Sequence, residues 1–526
     1  MASQKPDTFA GPGEMTRIST DRNQFPSRLF WVVVVLGIGG SLGVLVGGIT
    51  NPLLLIAGIA GLVVVFLMFQ NPELALLALV FITYTMLTEV LVNTHNAPSI
   101  TKPVIALLLL LLLARWFLRG EPPAGGGAAL VLLLGYVLLT SLSLFYAGDI
   151  DSTLENISEL VKNAVIAIIV TLMLKRGDAL RRVSHTIIAG GLFLGTISTY
   201  QYLTGTFTNE YWGFGLARIQ DIVDPENQSY RIGGPIGDAN FYGQMLLFVV
   251  PLAVDRLRYD KENLWRLIAA CALAATLCSI AFTFSRGTFL ATGIILLLML
   301  VKDPPRPAVT AAILALAVTA LIVFLPQYIE RMYSMIGTFL QSGNDSGGVQ
   351  DSGIRGRLGA MQVALQIFLE HPLLGIGLGN FEHYYQHYAL QFGSSERGVD
   401  LAAHSLYLEI AAERGLLGIT VYLVLIWYIF RIIMKSARQL HAAGLTAYEN
   451  MVFSYGFSLL GYLATSVFLH ERARFIWIIY GICLSFPAIA AYETRRISSS
   501  AHNEESTNET FRPEPFPVNP VTGNDP

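Results

Sequence analysis

Apolar runs of about twenty residues recur along the chain from Phe30 to Ala491, and each is long enough to cross the roughly 30 Å hydrocarbon core of a bilayer as a helix. Over 526 residues, 53% of the side chains are hydrophobic and only 13% are charged. That charged fraction is about half that of an ordinary soluble protein. A water-soluble core cannot hide so much apolar surface. The sequence therefore predicts an all-α polytopic membrane protein and excludes soluble, fibrous and disordered classes.

The length and low charge of these runs predict about fourteen transmembrane helices, within a range of 12–14. The predicted spans are 29–49, 53–69, 73–92, 103–119, 128–147, 158–174, 183–204, 239–254, 264–282, 287–301, 307–325, 410–430, 451–469 and 474–491. Together they form a transmembrane domain over 29–491, preceded by a polar tail, 1–28. The Ser/Asn/Glu/Pro-rich stretch 498–526 has no apolar periodicity, so we expect a disordered tail there.

Lysine and arginine predict the orientation, because cytoplasmic loops carry an excess of both residues. With the N-terminus inside, 22 basic residues lie on the inner side and 11 on the outer side, and Lys162 remains within a span. We therefore expect both termini in the cytoplasm. Two outer segments, 205–238 and 326–403, are too long to be simple turns. The second contains an amphipathic pattern over 357–369 and predicts a partly helical periplasmic subdomain.

The composition also limits the partners that this chain can have. The sequence shows no clustered basic face, which argues against nucleic-acid binding. Its cysteines, Cys271, Cys278 and Cys483, all lie inside apolar runs and lack the spacing of a metal site or a disulfide framework. We expect no metal and no cofactor, and we expect membrane lipids around the spans.

The first candidate site on the outer face is the sequence HSLYLEIAAERGLLG, which begins at His404 and ends at Gly418. A histidine at the mouth of a span can accept a proton from a hydroxyl near neutral pH, which makes His404 a candidate general base. The alternative is that His404 and Ser405 merely begin a helix and that Gly415 ends a turn.

Two further outer patches contain arginines that topology does not explain. YRIGGPIGDANFYG, over 230–243, carries Arg231 and Asp238, and FTFSRGT, over 282–288, carries Arg286. A guanidinium fork can bind a phosphate or diphosphate. Asp238 is most simply explained as a helix N-cap, and Arg286 could instead reach out to lipid phosphate.

Weaker candidates complete the outer set. Arg357 heads the amphipathic segment that leads into HPLLGIGLGNF, over 371–381. Arg472 and Arg474 lie in the HERAR turn, where either could bind phosphate or balance Glu471. Aromatic residues could stack on sugars, although an interfacial belt is the commoner explanation: Tyr200, Tyr202, Tyr211, Trp212 and the run 384–388.

In their order over 231–418, these patches resemble the O-antigen ligase and polymerase superfamily. The resemblance implies a GT-C-like glycosyltransferase of the bacterial inner membrane that takes a glycan from undecaprenyl diphosphate on the periplasmic face. The acceptor is lipid A–core in the ligases, another undecaprenyl-linked glycan in the polymerases, and a protein hydroxyl in the O-oligosaccharyltransferases. The resemblance also implies that His404 is the catalytic histidine and that Arg231 and Arg286 are the essential outer arginines. Arg357 matches a further arginine of the superfamily. Compared with the ligases of this superfamily, the chain has about two extra spans and a longer cytoplasmic tail. These differences leave the identity of the acceptor open.

A lipid diphosphate is already a good leaving group, so cationic side chains can stabilise its departure without a metal. In this hypothesis His404 deprotonates the acceptor hydroxyl, which displaces the diphosphate with inversion at the anomeric carbon. A transporter or flippase of lipid-linked oligosaccharide is the alternative from another class. It should show inverted halves and charged or broken helices near mid-membrane, whereas the predicted spans are nearly free of charge apart from Lys162.

Overall fold

A computed structural model describes residues 71–119, 127–219, 230–304, 352–391, 402–470 and 474–510. The N-terminal tail 1–28, the predicted spans 29–49, 53–69 and 307–325, the candidate Arg472 and residues 511–526 lie outside the described residues.

The described residues are mostly helical. The helices, numbered in chain order, are α1 Pro72–Tyr84, α2 Leu87–His95, α3 Thr101–Arg119, α4 Gly127–Ser141, α5 Ile150–Met173, α6 Gly177–Thr204, α7 Ala239–Tyr259, α8 Asn263–Phe282, α9 Arg286–Lys302, α10 Ser352–Glu370, α11 Phe381–Gln391, α12 Leu406–Ala442, α13 Thr446–Thr465 and α14 Phe475–Thr510. Single 3-10 turns occur at Leu142–Phe145 and Tyr211–Gly213.

Five helical segments among the described residues are long and apolar enough to cross a membrane. They are Gly127–Phe145, Ile150–Met173, Asn263–Phe282, Leu406–Ala442 and Phe475–Ser499. The pair α1 and α2 passes the same test together, but it is bent by 56° at Thr85 and Met86, so it forms either a broken span or a re-entrant loop. An all-α membrane protein fits these helices, whereas the predicted number of about fourteen spans is not confirmed.

Two local features differ from the sequence expectations. The segment 205–238 contains an antiparallel hairpin of β1 Leu216–Ile219 and β2 Tyr230–Gly234, in which Arg218 pairs with Arg231. Its strands are short, so no apolar alternation marks them. The stretch that begins at Ser498, for which the sequence predicts disorder, is helical as far as Thr510, where α14 ends. The stretch 498–510 contains neither proline nor glycine, and its polar side chains do not interrupt a helix.

Helices α6, α7 and α8 pack closely because glycines on α6 let their backbones approach. A Cβ on Gly191 would lie 2.6 Å from a Val249 methyl of α7, and one on Gly195 would lie 3.0 Å from the Ala275 backbone of α8. Helix α13 packs on the other side of α7, and α12 packs against both α13 and α14. The almost fully buried α7 is therefore the central helix of this group.

A smaller apolar cluster joins α10 and α11 to the segment before α12. Its buried members include Val363, Ile367, Phe381, Tyr385 and Ala403. Because Ala403 immediately precedes His404, the cluster fixes the chain just before the candidate base.

The candidate patches come to one end of the helix group because neighbouring helices alternate in direction. Helices α7, α9 and α12 begin at this end, and α8 and α13 finish there. Strand β2 leads directly into α7, so Arg231 is at the same end.

Candidate active site

Arg231 bridges two of the sequence patches. Its Nε donates a 2.8 Å hydrogen bond to the carbonyl of Thr283, and one terminal nitrogen donates a 3.0 Å bond to Oδ1 of Asn240. Thr283 lies three residues before Arg286, in the turn between α8 and α9. The two predicted phosphate-binding arginines are therefore linked through a main-chain carbonyl.

Asp238 is the N-cap of α7. Its Oδ1 accepts hydrogen bonds from the backbone nitrogens of Asn240, at 2.8 Å, and Phe241, at 3.2 Å. These are donors that a helix N-terminus leaves without an intrahelical partner. The cap explanation holds for Asp238, whose effect on the site is to fix the turn that carries Asn240.

The same turn of α7 extends to the candidate base. The ring of Phe241 meets the ring of His470 edge to face at a centroid distance of 4.8 Å, and His470 meets His404 in the same manner at 5.8 Å. His470 is only 8% exposed. The contacts run in sequence from Arg231 through the first turn of α7 to His404.

His404 lies one residue before Ser405, the N-cap position of α12, and its side chain is half-buried. The backbone nitrogen of Leu406 donates to the carbonyls of Ser466, at 3.0 Å, and Leu469, at 2.7 Å. These bonds hold the start of α12 against the turn that ends in His470. His404 itself adopts a left-handed φ of 50°, a conformation uncommon for residues other than glycine. Such conformations concentrate at functional sites.

Arg286 is the first residue of α9, and its side chain is half-buried. The turn before it contains Phe284 at a φ of 49°, which is unusual for a bulky aromatic residue. Thr288 packs against Gly243 of α7, where a Cβ would lie 2.9 Å from Oγ1 of Thr288. The start of α9 is therefore pressed against the start of α7.

Aromatic rings lie beside the two arginines. Tyr202 stacks on Phe282 at 3.9 Å, and Phe207 stacks on Tyr230 at 4.4 Å. Tyr202 and Phe207 also meet edge to face at 5.9 Å. These rings pack on one another and brace the strand that carries Arg231.

Arg357 lies near the start of α10, one turn before Ala360. The buried face of α10 shares its apolar cluster with Ala403, so the helix packs next to the residue before His404. Helix α10 covers the predicted amphipathic segment 357–369.

Arg474 makes ion pairs away from the other candidates. Its guanidinium lies 2.8 Å from a carboxylate oxygen of Glu89 on α2 and 2.7 Å from one of Glu159 on α5. The sequence alternative of charge balance therefore applies to Arg474, with Glu89 and Glu159 as partners. Lys162 likewise pairs with Glu159 at 2.8 Å.

The motif 404–418 does more than present a histidine. Within α12, Gly415 adopts φ 62° and ψ −166° and breaks the helix. The 371–381 loop inserts there: the nitrogen of Gly377 donates to the Glu413 carbonyl at 2.8 Å, and that of Leu416 donates to the Pro372 carbonyl at 2.7 Å. The two glycine-containing motifs form one interlocked structure.

Sequence reasoning missed Asn240, Phe241 and His470 as site residues. His470 is a polar residue in the same outer turn as Arg472 and Arg474, so the criterion that selected those arginines would have found it. Asn240 and Phe241 carry no such signal, since their contribution depends on contacts with distant parts of the chain. Across the described residues, no group of three or more His, Cys, Asp or Glu side chains could hold a metal ion.

At this end of the helices, Arg231 is hydrogen-bonded to the turn that carries Arg286, and ring contacts lead from the first turn of α7 through His470 to His404. This arrangement suits chemistry in which a hydroxyl is activated and an anionic group departs. The O-Antigen ligase family model matches residues 271–423, a stretch that contains Arg286, Arg357 and His404. No curated protein matches the chain.

The apolar helices and this match together indicate an integral membrane protein of the O-antigen ligase and polymerase type, for which a lipid-linked glycan is the donor in general. The match to residues 271–423 confirms the predicted resemblance of this chain to the O-antigen ligase superfamily.

Proposed function

We propose that the protein transfers a glycan from undecaprenyl diphosphate to an acceptor hydroxyl at the periplasmic face of a bacterial inner membrane, in the manner of an O-antigen ligase. The observation that carries this proposal is the hydrogen bond of 2.8 Å from Arg231 to Thr283. This bond connects Arg231 to the turn that carries Arg286. Ring contacts from Phe241 through His470 then reach His404.

In the proposed reaction, His404 accepts the proton of the acceptor hydroxyl as the oxygen attacks the anomeric carbon. The new carbon–oxygen bond forms while the bond from that carbon to the diphosphate breaks. Undecaprenyl diphosphate departs with the bonding electron pair, and Arg231 and Arg286 stabilise its developing charge. Direct displacement from the opposite side inverts the configuration at the anomeric carbon. No metal has a step in this scheme.

Arg357 supplies a third positive charge near the start of α10, where it would contact the donor or the approaching acceptor glycan. Arg472 remains a weaker proposal of the same kind. The two ion pairs of Arg474 favour a structural role for that residue, since a balanced guanidinium attracts a diphosphate less strongly.

The test is a reconstitution in lipid vesicles with a defined undecaprenyl-diphosphate glycan and separate acceptors: lipid A–core, a second undecaprenyl-linked glycan, and a peptide with free hydroxyls. We expect release of undecaprenyl diphosphate only with one acceptor class, together with an inverted glycosidic bond in the product. A polymerase is the alternative of the same superfamily, and elongation of the undecaprenyl-linked glycan would identify it. Movement of the donor across the bilayer without any new bond would instead support a lipid-linked oligosaccharide flippase and contradict the proposal.

A further inference from the structure

The first turn of α7 contacts both halves of the candidate site. Asn240 accepts a hydrogen bond from Arg231, while its neighbour Phe241 packs against His470, which packs against His404. We propose that Asn240 and Phe241 are positioning residues that together set the separation between the diphosphate-binding Arg231 and the base His404. This inference rests on the function proposed above and concerns residues to which no role has been given.

Asn240 suits this task because its amide oxygen is neutral. The bond to Asn240, with the second bond from Nε to the Thr283 carbonyl, restricts the rotation of the Arg231 guanidinium. Neither of these two acceptors is a carboxylate, so these two bonds orient the guanidinium without adding a negative charge beside it. An aspartate at position 240 would keep the geometry and neutralise the arginine.

Phe241 acts on the other side of the turn. Its ring and that of His404 both meet His470 edge to face, at 4.8 Å and 5.8 Å, so Phe241 limits the position of His470 and thereby that of His404. One turn further along α7, the amide nitrogen of Gln244 donates to Thr465 at 2.9 Å and to Ser466 at 3.0 Å. These bonds hold the segment that leads to His470 against α7.

Asp238 fixes the turn itself, because its carboxylate accepts from the nitrogens of both Asn240 and Phe241. The side chains of Asn240 and Phe241 therefore both extend from the same rigid turn, at the N-terminus of the buried helix α7. Reacting groups need placement to within a fraction of an ångström, and an error of about 1 Å costs about 100-fold in rate. A single helical turn that contacts both groups meets this requirement without direct contact with the substrates.

The experiment separates the two positioning effects by steady-state kinetics in vesicles that contain the donor glycan. Asn240→Asp should raise KM for the donor by about tenfold or more, because the guanidinium is held but neutralised. Phe241→Leu should lower kcat by about 10–100-fold with little change in donor KM, since only the base is misplaced. Phe241→Tyr keeps the ring and should recover most of the lost kcat.

Two matched substitutions serve as controls. Asn263→Ala removes an exposed asparagine from the first turn of α8, and Phe145→Leu alters a phenylalanine that is 86% exposed. Both should leave the kinetics unchanged. Both controls should also keep the thermal unfolding temperature of the unmodified protein in detergent, and the rates of all variants are expressed per amount of folded protein.

A wild-type donor KM in Asn240→Asp, or a wild-type kcat in Phe241→Leu, would overturn the positioning role. Activity that falls only in proportion to folded protein would overturn it too, because that result needs nothing beyond a structural contribution. Failure of the proposed function itself has a different signature. In that case the unmodified protein would form no new glycosidic bond, or Arg231→Ala and His404→Ala would transfer glycan at the unmodified rate, whatever the α7 variants do.

Discussion

Asn380 is a fully buried residue that connects the 371–381 loop to α5. Its Oδ1 accepts from the backbone nitrogen of Asp149 at 2.7 Å, and its Nδ2 donates to Oγ1 of Thr153 at 2.7 Å. Buried polar groups that lose such partners retain the full cost of their desolvation. Asn380 therefore anchors the loop that interlocks with α12.

We expect Asn380→Ala to lower the free energy of unfolding by about 1–3 kcal/mol, because the nitrogen of Asp149 loses its partner inside the protein. Thermal or denaturant unfolding in detergent measures this loss. The control is Asn450→Ala, which removes an exposed bond from Lys302 and should change stability by less than about 0.5 kcal/mol. Equal effects of the two substitutions would contradict the anchoring role.

Single residues also mark the limit of what the sequence predicts. His404, Arg231 and Arg286 could be selected because charged and titratable groups are scarce in this chain and these three have no role in topology. Asn240 and Phe241 could not, since an asparagine and a phenylalanine at the start of a helix are ordinary there. Their contacts appear only once α7, α12 and α13 are packed.

At the scale of elements, the break in α12 is the point where the outer loop and the membrane helix meet. Gly415 has φ 62° and ψ −166°, a region that only glycine adopts readily. A side chain there would also collide with the carbonyl of Leu373. The break therefore requires glycine on both conformational and steric grounds.

Gly415→Ala should destabilise the protein by at least about 1–3 kcal/mol through backbone strain alone, with the collision adding to the loss. Gly293→Ala is the matched control, because a Cβ at Gly293 of α9 has no neighbour within 4 Å. Unfolding temperatures of the purified variants provide the comparison. An unfolding temperature of Gly415→Ala equal to that of Gly293→Ala would refute this explanation of the break.

A second contact between elements gives a pH dependence. The hydroxyl of Tyr388 on α11 donates a 2.6 Å hydrogen bond to Glu370 at the end of α10. Burial together with this bond raises the pKa of Tyr388 to about 12, and the bond lowers the pKa of Glu370. The stabilisation from Glu370 is therefore present above its unfolded pKa and is lost as the pH falls through its folded pKa. The contribution of Tyr388 is present below its unfolded pKa of about 10 and is lost as the pH rises from there to its folded pKa of about 12.

Tyr388→Phe should therefore lower the unfolding temperature at pH 7, and the difference from the unmodified protein should shrink as the pH falls from the unfolded pKa of a glutamate, about 4.3, through the lowered folded pKa of Glu370. Tyr385→Phe, on the same helix, removes a hydroxyl without affecting the Glu370 bond and should show no such pH dependence. If the difference in unfolding temperature between Tyr388→Phe and the unmodified protein stays constant from pH 7 to acidic pH, the bond between Tyr388 and Glu370 is not its source.

Sequence periodicity placed most elements well, since α8 and α9 begin and end within one residue of their predicted spans. It missed the β1–β2 hairpin and the helical continuation of α14 to Thr510. The hairpin strands are only four and five residues long, and the stretch 498–510 is polar, so apolar periodicity marks neither. Nor does apolar periodicity mark the bend between α1 and α2.

At the scale of the whole molecule, the structure places the candidate patches at one end of the helix group, and the charge bias predicts that this end is periplasmic. Membrane-impermeant maleimide tests the prediction in a background without Cys271, Cys278 and Cys483. Thr208→Cys, exposed at the candidate end, should be labelled in intact spheroplasts, and Lys261→Cys, exposed between α7 and α8, only after lysis. Labelling in the opposite order would invert the orientation.

The all-α membrane class and the resemblance to the O-antigen ligase superfamily were within reach of the sequence, because they depend on apolar runs and on motifs that retain their order. The predicted number of spans is not confirmed, since five helical segments among the described residues, or six with the bent pair α1 and α2, are long and apolar enough to cross a membrane. The acceptor is beyond the sequence for a different reason: the same base and the same arginines can serve any hydroxyl that reaches the anomeric carbon.

The central claim is that His404 removes the proton from the acceptor while Arg231 and Arg286 hold the diphosphate. Its most direct test is the rate of undecaprenyl diphosphate release by His404→Ala in vesicles with saturating donor and acceptor. We expect a fall of about 100-fold or more relative to the unmodified protein, the contribution of a general base, with equal membrane insertion and unchanged donor binding. Release at the unmodified rate would show that His404 is not the base and would contradict the account of this site.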